Sequence, residues 1–386
     1  MRITFVDEVG HWQNLLPLTY TKPIAKLRIG ILTIQEKWET YLESEASGFL
    51  TQPYLQSRFP DTKQPALFIN SIALPNQSLV KEVKRLKLGE VLVSGNVWVA
   101  FRGDSFNGVE AAIKVLCKGE VVFVYRPWHL YQVNSHEIQR DYKLLTIGRK
   151  SKIITDDFTK VYAPSNVFLE DGAEVKAAIL NADNGPIYLG KNTKVHEGAI
   201  IKGPFALCED GQVVAGTRIR EGCTIGIKAT GGGELKNSII GDYTNKGHDG
   251  YLGDSVIGNW CNLGALTNVS NLKNTYSEIK IWDRNKTDWI NSGTNKLGCI
   301  LGDYVHTGIS TMLNTGTIIE PFCQLYGAGL HRKFVNSFQW GEPNNYVPYQ
   351  WDKVIEVAKK IQKTKGMNVS KEEVDILKHV HGSNKF

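Results

Sequence analysis

An apolar side chain recurs at every sixth position from residue 189 to 225: Leu189, Val195, Ile201, Leu207, Val213, Ile219 and Ile225. A second register, two residues earlier, holds Ile187, Thr193, Ala199, Phe205, Gly211, Thr217 and Cys223. Neither a helix nor a flat strand repeats in sixes. A coil of three short strands does, because each six-residue unit supplies one flat side and one corner. With 42% of the chain hydrophobic, seven consecutive hits arise by chance about twice in a thousand per frame. The rhythm resumes at Tyr251, Ile257, Leu263 and Val269, and again at Leu301, Thr307, Leu313, Ile319 and Leu325. Small or medium residues sit two positions before, as a narrow triangular interior requires. The pattern predicts a parallel β-helix of hexapeptide repeats over 164–330, with left-handedness taken from its class. Residues 229–250 and 270–298 break the rhythm and are expected to be loops thrown out of the coil.

Before the coil, residues 1–150 read as an α/β domain. Short strands are expected at Ile3–Val6, Ala66–Ile69, Val91–Val93 and Val121–Val124, and helices at Ile34–Ser44 and Asn107–Leu116. A connector over 151–163 follows. After the coil, residues 331–386 form a C-terminal extension with helical spacing at Val354, Val357 and Ile361, then at Val374, Ile376 and Val380. Ser370 with Glu373 three residues later is a capping box for the second of these helices.

The net charge of +6 is mild. No run of five Lys/Arg appears, so nucleic-acid binding is a weak reading and the excess fits anionic small molecules equally well. No apolar run reaches the ~18 residues that span a membrane, and the start of the chain does not read as a signal peptide. Of six cysteines, Cys223, Cys261, Cys299 and Cys323 fall in inward small-residue slots, and no CxxC spacing occurs. These features predict a reduced, cytoplasmic enzyme. His196, His248 and His306 are too scattered in sequence to suggest a metal-dependent hydratase.

Chemistry is expected where polar residues collect among glycines, in Gly247-His248-Asp249-Gly250-Tyr251-Leu252-Gly253-Asp254 and Asn259-Trp260-Cys261-Asn262-Leu263-Gly264-Ala265. The first stretch resembles the G-H-x-x-Y-L-G-D motif of the GlmU family, bifunctional N-acetyltransferases and uridylyltransferases of amino-sugar phosphates. Nearly the whole chain looks similar to a GlmU-like branch found in Bacteroidetes-type bacteria, through Leu16–Pro23, Gly185–Gly190 and Ser270–Asn274. The resemblance implies that His248 is the general base and that Asn271 orients it. It implies that Arg218 and Lys236, found by stepping without a gap, hold the sugar phosphate. Tyr251 and Asn262 would contact the sugar, and Ala265 and Ser310 the acetyl-CoA. A homotrimer with sites between neighbouring coils is implied too. Two departures stand out: the family's oxyanion-side serine maps onto Ile309, beside Ser310, and its Asn-Tyr-Asp-Gly loop is Asn271-Leu272-Lys273-Asn274 here. Residues 275–298 look inserted.

The first domain resembles a shortened sugar nucleotidyltransferase. Such enzymes set a glycine-rich loop after the first strand against nucleotide phosphates, yet Asp7–Pro17 holds a single glycine, Gly10. Lys22 and Arg28 are the candidate nucleotide-binding cations, and Asp104 the candidate Mg²⁺ ligand. The function expected is acetyl-CoA-dependent N-acetylation of an amino-sugar phosphate, with or without nucleotidyl transfer. The alternative is a sugar-1-phosphate nucleotidyltransferase, using UTP or dTTP, whose β-helix only trimerises it.

Overall fold

The computed structural model describes residues 2–44, 46–61 and 66–383. They group into two compact units.

The first unit comprises residues 1–15, 21–27 and 32–126. Its mixed sheet runs in the order 46–50, 2–6, 66–70, 97–103, 90–94, 113–116. Strand Arg2–Val6 pairs in parallel with Ala46–Leu50 and Ala66–Asn70, while Val97–Gly103 runs antiparallel to both its neighbours. Among the described residues its α-helices are α1 (Val9–Asn14), α2 (Ile34–Leu42) and α3 (Gln77–Lys84). Thr33 and Glu36 close a reciprocal capping box on α2, and Trp38, fully buried, donates its indole N–H to Ala73 O at 2.9 Å. The helix expected over 107–116 is instead a 3₁₀ turn at Phe106–Ala111 and a strand at Ile113–Leu116. Alternating β-branched Ile113 and Val115 suit a strand edge better than a helix.

The second unit comprises residues 16–20, 28–31 and 127–386. It is a three-sided parallel β-helix. Ile187 lies over Phe205 and Phe205 over Cys223, a step of 18 residues, or three hexapeptides per coil. Every residue of the first seven-unit register is buried in one continuous core, so stacking of coils supplies the interior that a single coil lacks. Helix α4 (Pro127–Thr146) lies along one outer face of the coils. Its Asn134 amide reaches Gly222 O and Thr224 Oγ1, and Gly30 N–H returns to Asn134 Oδ1.

Residues 229–250 do not leave the coil. They wind a tightened one, with strands at Thr230–Gly231, Glu234–Lys236, Ile239–Ile240 and Asn245–Lys246. Thr230 pairs with Asn245, a step of only 15, so the six-residue rhythm fails although the solenoid continues. The slip also turns Tyr251 outward; Leu235 and Leu252 take the buried positions. Residues 270–298 do leave the coil. The ladder jumps from Val256 to Ile300, and the excursion carries an antiparallel hairpin of Lys280–Asp283 with Asp288–Asn291.

One corner carries an aromatic ladder. Tyr243, Trp260, Tyr304, Phe322 and Phe338 occupy equivalent turns at φ between +56° and +63°. Their rings stack in succession at 4.0, 6.0, 4.3 and 5.3 Å. A left-handed residue with a bulky side chain costs roughly 1–2 kcal/mol; ring stacking at about 0.5–1.5 kcal/mol, added to burial, offsets it. Helices α5 (Trp351–Thr364) and α6 (Lys371–Ser383) cover part of this ridge. Ser370 Oγ accepts Glu373 N–H, as the capping box predicts. The Glu373 carboxylate, however, accepts from Tyr304 Oη at 2.7 Å, and Gln362 Nε2 donates to the same hydroxyl at 2.6 Å. The last strand, Asn345–Pro348, runs antiparallel on Gln339–Glu342. Among the described residues no helix is long and apolar enough to cross a membrane.

Candidate active site

The site is built on one outer face and one corner of the tightened coils. On the face, Ile200, Arg218, Glu234 and Tyr251 lie in register. Outward positions alternate, so the next outward column contains Lys202, Arg220 and Lys236, with Gly253 beyond. Gapless stepping paired Arg218 with Lys236, 18 residues on. The coil here advances only 16, from Arg218 to Glu234, so that the same register carried one residue on sets Arg220, not Arg218, level with Lys236. Arg218 stands against Glu234 instead, at 3.8 Å, and Arg220 reaches the same carboxylate at 3.8 Å.

The corner holds His248, which is exposed. Gly233 (φ +76°) lets it close: a Cβ there would lie 2.6 Å from Gly250 O and 2.9 Å from His248 O. The same corner continues on later coils, because Leu266 N–H donates to Asp249 O and Ser310 N–H to Ala265 O. His248, Ala265 and Ser310 are thereby stacked at one edge. Ile309 is 76% exposed beside them.

Asn271 lies elsewhere in the same chain. Its amide donates to Asp254 Oδ2, and Asn237 Nδ2 donates to Asp254 Oδ1 at 2.7 Å. Asp254 is six residues past His248, up to about 20 Å of extended chain, at the corner after strand Tyr251–Gly253. Tyr251 joins this group. Burial, and secondarily the Asp254 carboxylate, push its hydroxyl up to about 12. Asn262 lies on a further face, where it accepts from Asn245 Nδ2 at 2.9 Å. With Tyr243, Trp260, His306 and Lys365 it lines a cavity of about 460 Å³.

In the first unit, Lys22 is buried near Ile24, whose N–H donates to Asp7 Oδ2 at 3.2 Å. Asp7, Thr51 and Ser71 follow the carboxyl ends of the three adjacent parallel strands, where ligands of α/β sheets collect. Burial pushes the Asp7 carboxyl up to about 6, partly offset by donors including Thr51. Arg28 was expected to meet a nucleotide, but it belongs to the second unit and is engaged there. Its guanidinium is buried, bidentate on Asp242 at 3.1 and 3.2 Å, with a third bond to Ile31 O. Asp104 is exposed after strand Val97–Gly103. Among the described residues no group of three or more His, Cys, Asp or Glu stands together around a point where a metal ion could sit.

Sequence reasoning missed Arg220, Asp7 and Lys246, which lies inside the coil beneath His248. A fall in coil length, visible as the failing rhythm after Ile225, was the available signal for Arg220.

Residues 3–150 match the sugar nucleotidyl transferase family. A bifunctional sugar-1-phosphate nucleotidylyltransferase/acetyltransferase of Sulfurisphaera tokodaii is 37% identical over 100 residues, 26% of this chain and 24% of that protein. Only part of the chain, about a quarter to a third of it, is similar in sequence to such bifunctional enzymes. The bifunctional protein GlmU of Methanocaldococcus jannaschii is 33% identical over 122 residues, 32% of this chain and 28% of that one. The matches thus span about a quarter of these relatives' length. The solved polySia-specific acetyltransferase NeuO shares 16% identity at a TM-score of 0.30, over 55% of this chain and 97% of that one.

Proposed function

We propose that the chain is an acetyl-CoA-dependent N-acetyltransferase of an amino-sugar phosphate such as glucosamine 1-phosphate. The observation that carries this reading is the exposed His248 at a corner adjoining the Arg220/Lys236 face. A guanidinium and an ammonium side by side grip a phosphate and set the sugar's amine toward the corner. The amine attacks the thioester carbonyl, and the His248 imidazole takes the amine proton as general base. The C–S bond then breaks, and the imidazolium returns that proton to the departing thiolate of coenzyme A. Ala265 and Ser310, on the same corner, are placed to contact the acyl donor. Tyr251 faces outward from the phosphate-gripping sheet and contacts the sugar.

Asn262 lies on a further face of the coil, and Asn271 at the corner that ends the Tyr251 strand, at the far end of that strand from His248. A site that uses them takes them from neighbouring copies, which favours a homotrimer. The test is thiol release from acetyl-CoA with glucosamine 1-phosphate: His248→Ala must abolish it, and undiminished release refutes the assignment. A second activity is favoured by the family match over residues 3–150, namely sugar-1-phosphate nucleotidyl transfer from UTP or dTTP. Pyrophosphate release without acetylation would leave the β-helix only a trimerising role.

A further inference from the structure

On one face of the coil the inward column reads Val195, Val213, Gly231, Lys246, Leu263, Thr307 and Leu325. Lys246 is the charged member, and its side chain is fully buried. Neighbouring coils show that Val or Leu stacks in this slot, so stacking does not demand a lysine. A buried charge is costly unless it finds partners. Lys246 finds three: its Nζ donates to Gly232 O at 3.3 Å, to His248 O at 2.5 Å and to Asp249 O at 3.5 Å. Leu266 N–H also serves Asp249 O. The lysine thus supplies a donor to the Gly232 and His248 carbonyls from inside the coil.

We propose that Lys246 is a positioning residue, whose buried ammonium gathers the carbonyls of the 247–250 corner and fixes the backbone from which the His248 imidazole projects. This rests on the reading of His248 as the base. The geometry of the corner supports it. Gly232 and Gly233 press against Gly247 and Gly250 so closely that a Cβ on either would fall within 2.6 Å of that backbone. A corner this tight turns its carbonyls inward, and a flexible stem ending in three donors can meet them where a backbone N–H cannot. The lysine arises in the tightened coil that bears His248. Burial lowers its pKa to about 8, against the opposing pull of Asp249, so it stays mostly protonated at neutral pH and keeps its donors.

The experiment compares Lys246→Met, which keeps the stem and removes every donor, with Lys246→Gln, which restores two N–H groups, in the full chain. Acetylation kcat is expected to fall about tenfold to a hundredfold in the Met variant, since a displacement near 1 Å carries that penalty. KM for both substrates should stay within about twofold, and the Gln variant should recover part of kcat. Amide hydrogen exchange at residues 247–250 should accelerate in the Met variant and less in the Gln variant. A purely structural lysine would shift the melting temperature and leave the kcat of the folded enzyme intact; that result overturns the proposal. Should the Met variant fail to fold, the Gln variant decides by the same kcat-against-KM split. His248→Ala is measured alongside. If it stays active, the base assignment falls and takes this proposal with it; if it is dead while Lys246→Met retains full kcat, the lysine inference alone fails.

Discussion

Exchanging the two arginines of the phosphate face separates ladder register from sequence spacing. By ladder register Arg218 is level with Glu234 and Arg220 with Lys236, while both guanidiniums approach the Glu234 carboxylate at 3.8 Å. A charge-assisted hydrogen bond to phosphate is worth about 1.5–3 kcal/mol. The Arg220 side chain is 47% exposed, which puts it at the low end. At about 1.4 kcal/mol per tenfold, Arg220→Ala should raise KM for glucosamine 1-phosphate about tenfold. Arg218, 60% exposed and 3.8 Å from its carboxylate, makes an ion pair worth under about 1 kcal/mol. Arg218→Ala should therefore change KM by less than about fivefold. Arg220→Lys keeps the charge and loses the planar fork, so it should fall between parent and Ala. Steady-state acetylation at fixed ionic strength reads all three, and raising salt should weaken the parent's KM more than that of Arg220→Ala. If Arg218→Ala raises KM tenfold while Arg220→Ala leaves it unchanged, the substrate does not follow the ladder, and the register argument is refuted.

Asp7 offers a pH test. Its folded carboxyl titrates near 6 against 3.8 in a model peptide, so the folded state binds the extra proton between those values and stability falls as pH rises through that window. The cost above pH 6 is about 3 kcal/mol. Asp7→Asn should slow hydrogen exchange of strand Arg2–Val6 at pH 7 and make little difference below pH 4. Tyr304→Phe removes the hydroxyl shared by Glu373 and Gln362; leaving these buried groups short of a partner should cost about 1–3 kcal/mol, read as faster proteolysis of the C-terminal helices. Gly233→Ala adds a Cβ 2.9 Å from His248 O in a left-handed turn; acetylation should drop at least tenfold while far-UV circular dichroism is retained.

The β-helix was legible because its coils follow one arithmetic, two inward residues per side and six residues per side. Where the sides shorten, at 219–246, the same arithmetic misreads continuous coil as a loop, turns Tyr251 inward and selects Arg218 over Arg220. The aromatic ladder was hidden for a related reason. Its members lie 17, 44, 18 and 16 residues apart, so no fixed period links them, and bulky side chains in left-handed turns are uncommon. The corner carrying His248 was legible from its motif. Lys246 was not, because a lysine between polar neighbours reads as surface until the carbonyls around it are seen. Arg28 lies 214 residues from Asp242, and local sequence carries no trace of that pairing.

Strand Asn345–Pro348 reverses direction on the final rung. A stack of parallel rungs is open at its ends, and another such stack could add there indefinitely, as in amyloid growth. The reversed strand presents the opposite polarity, with hydrogen-bonding groups out of phase with an incoming parallel rung. Deleting it should convert a well-behaved particle into one that polymerises lengthwise.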